Sequence, residues 1–369
     1  MAKTASKKRK PKGAKKRTGR VPATAQPNIE VADLPVRLER LTGTKRTEQL
    51  KRFVRAASRS FLAPTNITSI GIGHKVQNGR NTGKLSIQFT VATKAPLDAI
   101  GATGSKAIPP FIEIDGIAVP TDVLERTYRP SYTAARVGAK DERKRRMTVM
   151  RPGASISSTV TTDAGTLGTF ARDKRTNEIV MLSNWHVLDA GLNPLDGDIV
   201  QPGRYDDYST AQNLAGRLLR SHIGAAGDCA IASTGARAYS NIILGLDTSV
   251  MRIGTPQQGD RVVKSGRTTG LTYGIVGRPV LSISMPYSTG TQVVGGFEIG
   301  PDDQNPSEFG MISDIGDSGS AWMFVDKNGQ PNGTMLGLHF GLSDNAATPA
   351  FAVACFARSV MTKLEIEPI

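Results

Sequence analysis

From residue 151 onward the chain offers only short apolar runs, each soon broken by Gly, Pro, Asn or Asp. Ile179–Leu182, Cys229–Ala232, Asp260–Lys264 and Met335–His339 are examples. A helix that buries one face needs a 3.6-residue apolar period held over many residues. Short runs at regular spacing between turn residues specify strands instead. A stretch of about 220 residues with this texture predicts an all-β barrel or sandwich. The 39 glycines and 21 prolines agree with a fold rich in turns.

The N-terminal third reads differently. Leu34, Leu38 and Leu41, then Leu50, Phe53, Val54 and Ala57, recur with helical spacing, so residues 33–62 are expected to be helical up to Pro64. Ile67–Val76 reads as a strand, and Asn78-Gly79 and Gly83 turn the chain. Leu85, Ile87, Phe89 and Val91 then alternate with polar residues, and Phe111–Ile117 is expected to add a strand. Residues 33–130 are therefore expected to form a small α+β domain, and residues 131–150 a basic linker to the domain at 151–369.

The formal charge of +15 is unevenly spread. Residues 1–20 hold ten Lys and Arg and no acid, and Arg136–Arg146 carries a further +4, which leaves about +1 for the rest. Residues 1–32 cannot bury apolar area and are expected to be a disordered tail. Such a tail is either an electrostatic arm for nucleic acid or an acidic surface, or a solvated, solubilising extension. No run approaches the length of a transmembrane helix, and the basic N-terminus lacks the apolar core of a secretory signal, so a cytoplasmic location is expected. Two cysteines exclude a disulfide scaffold.

Chemistry concentrates in three places. Gly316-Asp317-Ser318-Gly319-Ser320 is a glycine-flanked serine. Glycines permit the tight turn that exposes a hydroxyl and aims the N–H groups of Gly316 and Ser318 at one point. The string alone could also be an ordinary turn. Ser183-Asn-Trp-His186-Val follows directly on the apolar run Ile179–Leu182. Asp228 enters the apolar run Cys229–Ala232, which is costly unless a buried donor meets it. Asp189 and Asp198 are rival acids in turn-like sequence. Metal chemistry is not suggested: the four histidines, His74, His186, His222 and His339, show no ligand spacing, and Cys229 and Cys355 form no CxxC pair. No cofactor motif is present, and the GxxxxGK phosphate loop is absent.

Taken together, the order is His, Asp, Ser with separations of 42 and 90 residues, close to the roughly 45 and 93 of the chymotrypsin template. Residues 151–369 thus resemble the chymotrypsin/trypsin-like serine proteases, in particular non-secreted bacterial ones. The resemblance implies a mainly β chain: a chymotrypsin-like double β-barrel behind the α+β domain and the tail. It implies that Ser318 attacks the scissile carbonyl, His186 moves its proton, Asp228 orients the imidazole, and Gly316 and Ser318 N–H groups form the oxyanion hole. Lys264-Ser-Gly-Arg-Thr-Thr-Gly looks like a strand-turn-strand of the non-secreted members, though a plain hairpin explains its glycines equally well. An Ile-Val-Gly-Gly activation peptide is missing, so Asp317 is not expected to wait for a new N-terminus.

The resemblance also bears on P1, the residue whose carbonyl is attacked. Ile312 stands six before the serine, where an acid would select Arg or Lys. Ser313 and the Gly337-Leu-His339 strand resemble the pocket of glutamyl endopeptidases and viral 3C-type proteases, which implies P1 Glu or Gln. His339 is otherwise a core histidine. The leading expectation is a serine endopeptidase acting on polypeptide. The rival is a non-enzymatic binder of nucleic acid or an acidic partner, built on a protease-like fold.

Overall fold

The computed structural model describes residues 43–62, 66–131, 141–307, 310–343 and 350–369. The basic tail and the first part of the expected helical stretch lie outside the described residues. Within them, no helix is long and apolar enough to cross a membrane.

The helix Gly43–Phe61 buries Leu50, Val54 and Ala57 on one face. It packs on a sheet through a cluster that includes Ile70, Ile72, Ile87 and Phe89. Strands Ile67–Gln77 and Arg80–Val91 form a hairpin turned by Asn78-Gly79, both at positive φ. The segment expected to be one strand, Phe111–Ile117, is instead a second hairpin. Asp115 and Gly116 take φ of 51° and 77°, which ends Phe111–Ile114 and starts Ile117–Glu125.

The boundary expected at residue 130 does not separate two sheets. Ile67–Gln77 pairs antiparallel with the 18-residue strand Gly270–Tyr287, from Ser69↔Ile283 to Ile72↔Val280. That strand is long enough to serve the barrel with one half and the N-terminal sheet with the other. The stretch read as a linker is docked from Asp141 onward. Arg143 is buried and donates to Leu244 O and Ser265 Oγ, at 3.2 and 3.0 Å. Arg146 donates to Gln212 O at 2.8 Å.

The rest is mainly β. One sheet runs in the order Ile366–Glu367, Thr169–Asp173, Ile179–Ser183, Gly227–Ser233, Leu214–Gly224, Asp198–Val200, Ser155–Ser158, Gly165–Thr166. It wraps a core of Met150, Ile156, Leu167, Phe170 and Met181 among others. The second sheet closes on itself. Arg261–Gly266 pairs with Ala321–Val325 on one side and with Gly270–Tyr287 on the other. Between them the ring is completed by Pro331–Ser343, Ala352–Phe356 and Gly290–Pro301, a six-stranded barrel among the described residues. Its core holds Val262, Phe297, Ile299 and the fully buried Trp322. A fourth apolar cluster joins Leu182 and Ile231 of the first sheet to Ile283 and Leu338 of the second. Closure pairs each of these six strands on both sides, and the N-terminal sheet continues from Gly270–Tyr287.

Candidate active site

His186 lies in the single helical turn Trp185–Leu188, directly after strand Ile179–Ser183. That strand pairs with Gly227–Ser233 through Leu182↔Ile231 and Ser183↔Ala230. The register brings the start of the second strand beside the helical turn, and Asp228 sits at that start. Its Oδ2 lies 2.5 Å from His186 Nδ1, and its Oδ1 accepts the His186 backbone N–H at 3.2 Å. Asp228 has no exposed surface and His186 only 5%. The buried carboxylate is therefore matched by donors, as burial requires. Tyr287 supplies one more: its hydroxyl donates to Asp228 Oδ2 at 2.7 Å. Asn184 donates its amide to Asp228 O at 2.7 Å, and the Asp228 N–H meets Cys355 Sγ at 3.1 Å. Cys229 and Cys355 are both free and buried; burial pushes the Cys355 thiol well above its ordinary value.

Of the rival acids, Asp189 accepts from Gly191 N–H and the Ser221 hydroxyl. Asp198 lies 3.7 Å from Arg217 in a pair open to solvent.

Ser318 lies between Gly316 and Gly319, at φ of 101° and 97°. Both glycines are required by space as well. A Cβ on Gly316 would meet Thr268 Oγ1 at 2.4 Å, and one on Gly319 would meet Thr166 O at 2.1 Å. Thr166 of the first sheet grips the turn twice. Its N–H donates to Ser318 O at 2.7 Å and its hydroxyl to Gly316 O at 2.9 Å. A Cβ on Gly165 would touch both Val187, next to His186, and Ser318 O, so the two loops meet there. Ser318 Oγ donates to Phe340 O at 3.4 Å. The Gly316 N–H already holds a carbonyl oxygen, that of Ser131, at 2.8 Å.

Of the residues expected in a substrate pocket, two meet and one does not. Ile312 packs in the apolar core with Val262, Phe297 and Trp322. Ser313 Oγ lies 2.7 Å from His339 Nε2. Trp322 Nε1–H donates to His339 Nδ1 at 3.4 Å, which places the ring proton on Nε2. Ser313 in turn donates to Asp317 Oδ2 at 3.1 Å. Burial, helped by the charge of Lys264, pushes the His339 imidazole down to about 3, so it is neutral. Ser131 Oγ lies 3.3 Å from the same Nε2.

Sequence reasoning missed Tyr287, Thr166, Ser131 and Lys264. Lys264 ion-pairs with Asp317 inside the barrel. A charge following Val262-Val263 in an apolar strand is the same signal that marked Asp228, and it would have marked Lys264. Among the described residues no cluster of His, Cys, Asp and Glu could hold a metal ion.

No family model and no curated protein matches this chain. Solved structures do. Thermobifida fusca protease A is 13% identical with a TM-score of 0.43, covering 60% of this chain and 98% of its own. Cellulomonas bogoriensis chymotrypsin is 15% identical with a TM-score of 0.41, covering 60% and 99%. A glutamic-acid-specific serine protease, described as using a histidine triad in substrate binding, is 15% identical with a TM-score of 0.44, covering 60% and 100%. The fold is similar to theirs.

Proposed function

We propose that the protein is a serine endopeptidase that cleaves peptide bonds through Ser318, His186 and Asp228 and an acyl-enzyme intermediate. The observation that carries this reading is the buried His186–Asp228 pair, 2.5 Å apart, whose helical turn meets the glycine-held Ser318 turn across Gly165. With its Nδ1 proton given to Asp228, the imidazole presents Nε2 as the base for a serine hydroxyl. The N–H groups of Gly316 and Ser318 stabilise the charge that develops on the carbonyl oxygen. One such donor is worth about 3–4 kcal/mol in a transition state.

The pocket wall supports a preference at P1. The neutral His339 has one N–H donor, on Nε2, which faces the Ser313 hydroxyl oxygen at 2.7 Å and the Ser131 hydroxyl at 3.3 Å. A P1 oxygen acceptor can share that proton with Ser313, while a Lys or Arg cation meets no free acid, because Asp317 is already paired with Lys264. The P1 choice is therefore Glu or Gln over Lys or Arg. An amide is favoured over a carboxylate at neutral pH, because the imidazole is uncharged and Asp317 lies behind it.

A fluorophosphonate probe tests the reading, because it reacts only with an activated serine. An adduct mapped to Ser318, absent from Ser318→Ala and His186→Ala, is expected. Ser131→Arg is probed alongside, because the Ser131 hydroxyl lies 3.3 Å from His339 Nε2 at the proposed P1 wall. No adduct in any form would refute the proposal.

A further inference from the structure

We infer that this chain is its own first substrate, and that Ser318 cleaves the peptide bond C-terminal to Ser131. The inference rests on the peptidase reading and adds the identity of a target and its bond.

Four observations converge on Ser131. Its carbonyl oxygen accepts from the Gly316 N–H at 2.8 Å, one of the two donors of the proposed oxyanion hole. A carbonyl held there is polarised for attack by the neighbouring serine. Its N–H donates to Phe340 O at 3.4 Å. The preceding strand Tyr128–Pro130 pairs antiparallel with Pro331–Ser343, in the register Tyr128↔Ser343, Arg129↔Leu342, Pro130↔Gly341. Its side chain points at the proposed P1 wall, 3.3 Å from His339 Nε2. The hydroxyl is an oxygen acceptor, the chemistry the wall selects. Carbonyl, amide, strand and side chain are thus all placed as a substrate residue would place them.

The segment is held in place from behind. Arg126 donates to Glu298 Oε1 at 2.6 Å and Tyr128 to Glu298 Oε2 at 2.8 Å. Arg278 donates to the Tyr128 hydroxyl at 3.1 Å. All four side chains are buried. Such anchoring makes the encounter intramolecular, so a small P1 residue suffices where a free peptide would need a better fit.

In the proposed step Ser318 Oγ bonds to the Ser131 carbonyl carbon and its proton passes to His186. The carbon–nitrogen bond then breaks, and His186 returns the proton to the departing nitrogen. Water hydrolyses the resulting Ser131–Ser318 ester, which leaves a carboxylate on Ser131 and restores the hydroxyl. The N-terminal piece stays bound, because Ile67–Gln77 remains paired with Gly270–Tyr287.

The test uses the full chain, expressed as wild type, Ser318→Ala and Ser131→Arg, with intact mass and N-terminal sequencing. Wild type should give residues 1–131 and a chain that begins at Tyr132. The two should co-elute natively and separate in denaturant. Ser318→Ala should remain one chain. Ser131→Arg, which puts an unmatched cation against His339, should also remain one chain and should label with the fluorophosphonate probe faster than wild type. A wild type that stays intact while Ser131→Arg labels overturns self-cleavage and leaves the peptidase reading standing. A wild type cleaved at another bond overturns the assignment to Ser131. Failure of every form to label or cleave overturns the peptidase reading, and self-cleavage with it.

Discussion

Lys264 Nζ lies 2.8 Å from Asp317 Oδ2, and neither side chain reaches solvent. Asp317 also accepts the backbone N–H groups of Thr268, Thr269 and Asp314 and the hydroxyls of Thr269 and Ser313. Burial alone would raise its carboxyl, but the Lys264 ammonium and these donors hold it far below the usual carboxylate range. The residue before Ser318 is thus fixed by a cation from within the chain, which needs no newly cut terminus. Removing the cation alone strands a buried charge, a loss of about 3–5 kcal/mol. Lys264→Met should therefore lose stability on that scale in urea denaturation. The double variant Lys264→Met/Asp317→Asn should lie closer to wild type than the sum of the single losses. Additive losses would show that the two groups do not depend on each other.

Tyr287 donates to the same carboxylate oxygen that faces His186 Nδ1. Tyr287→Phe removes that donor and keeps the ring, which packs edge-on against Trp185. Asp228 retains both of its bonds to His186. The expected result is a fall in kcat of about tenfold, the worth of one hydrogen bond to a charged group, with KM little changed. A change in KM alone would mean that Tyr287 serves binding and not the orientation of the imidazole.

If Ser318 and His186 act as a unit, either alanine substitution should remove most turnover, by roughly 10⁴–10⁶ in kcat. The double variant should then be no slower than the slower single one. Multiplicative losses would mean that the residues act in separate steps. Circular dichroism of each variant should match wild type, because Ser318→Ala leaves the glycine geometry of its turn untouched.

Much of the site was legible because catalysis demands local chemistry that short strings carry. Gly316 and Gly319 announce a turn at positive φ, and Asp228 is conspicuous in an apolar strand. What escaped depends on contacts between residues remote in sequence. Tyr287 meets Asp228 across 59 positions, and Lys264 meets Asp317 across 53. The same holds for the fold. Alternating residues 85–91 marked a strand, but not that both of its faces are buried from Ser86 to Val91, nor that its hairpin partner joins the six-stranded barrel. The run 111–117 failed as one strand because its apolar residues concealed a turn at Asp115-Gly116. Ile312 occupied the expected sequence position, yet its apolar side chain found the barrel core a better neighbour than a polar pocket.

The last prediction concerns His339. Burial holds its imidazole at about 3 in the folded protein, against about 6.5 in an unfolded chain. Between those values the unfolded state binds more protons than the folded one. Stability must therefore fall as pH drops below about 6.5, with a slope of up to about 1.4 kcal/mol per pH unit from this one group. Above neutrality the group contributes no slope. Asp317 and Glu298, both depressed in the fold, act lower. Their stabilisation is present above the ordinary carboxylate value of about 4 and is lost only as pH falls further. The interval from about pH 6.5 to 4.5 thus isolates histidine titration from these carboxylates. Urea midpoints for wild type should decline across it, and those for His339→Gln should decline less steeply. Parallel lines would mean that His339 takes up its proton in the folded state as readily as in the unfolded one. In that case it would present a cation to P1, and the preference would move from Gln toward Glu.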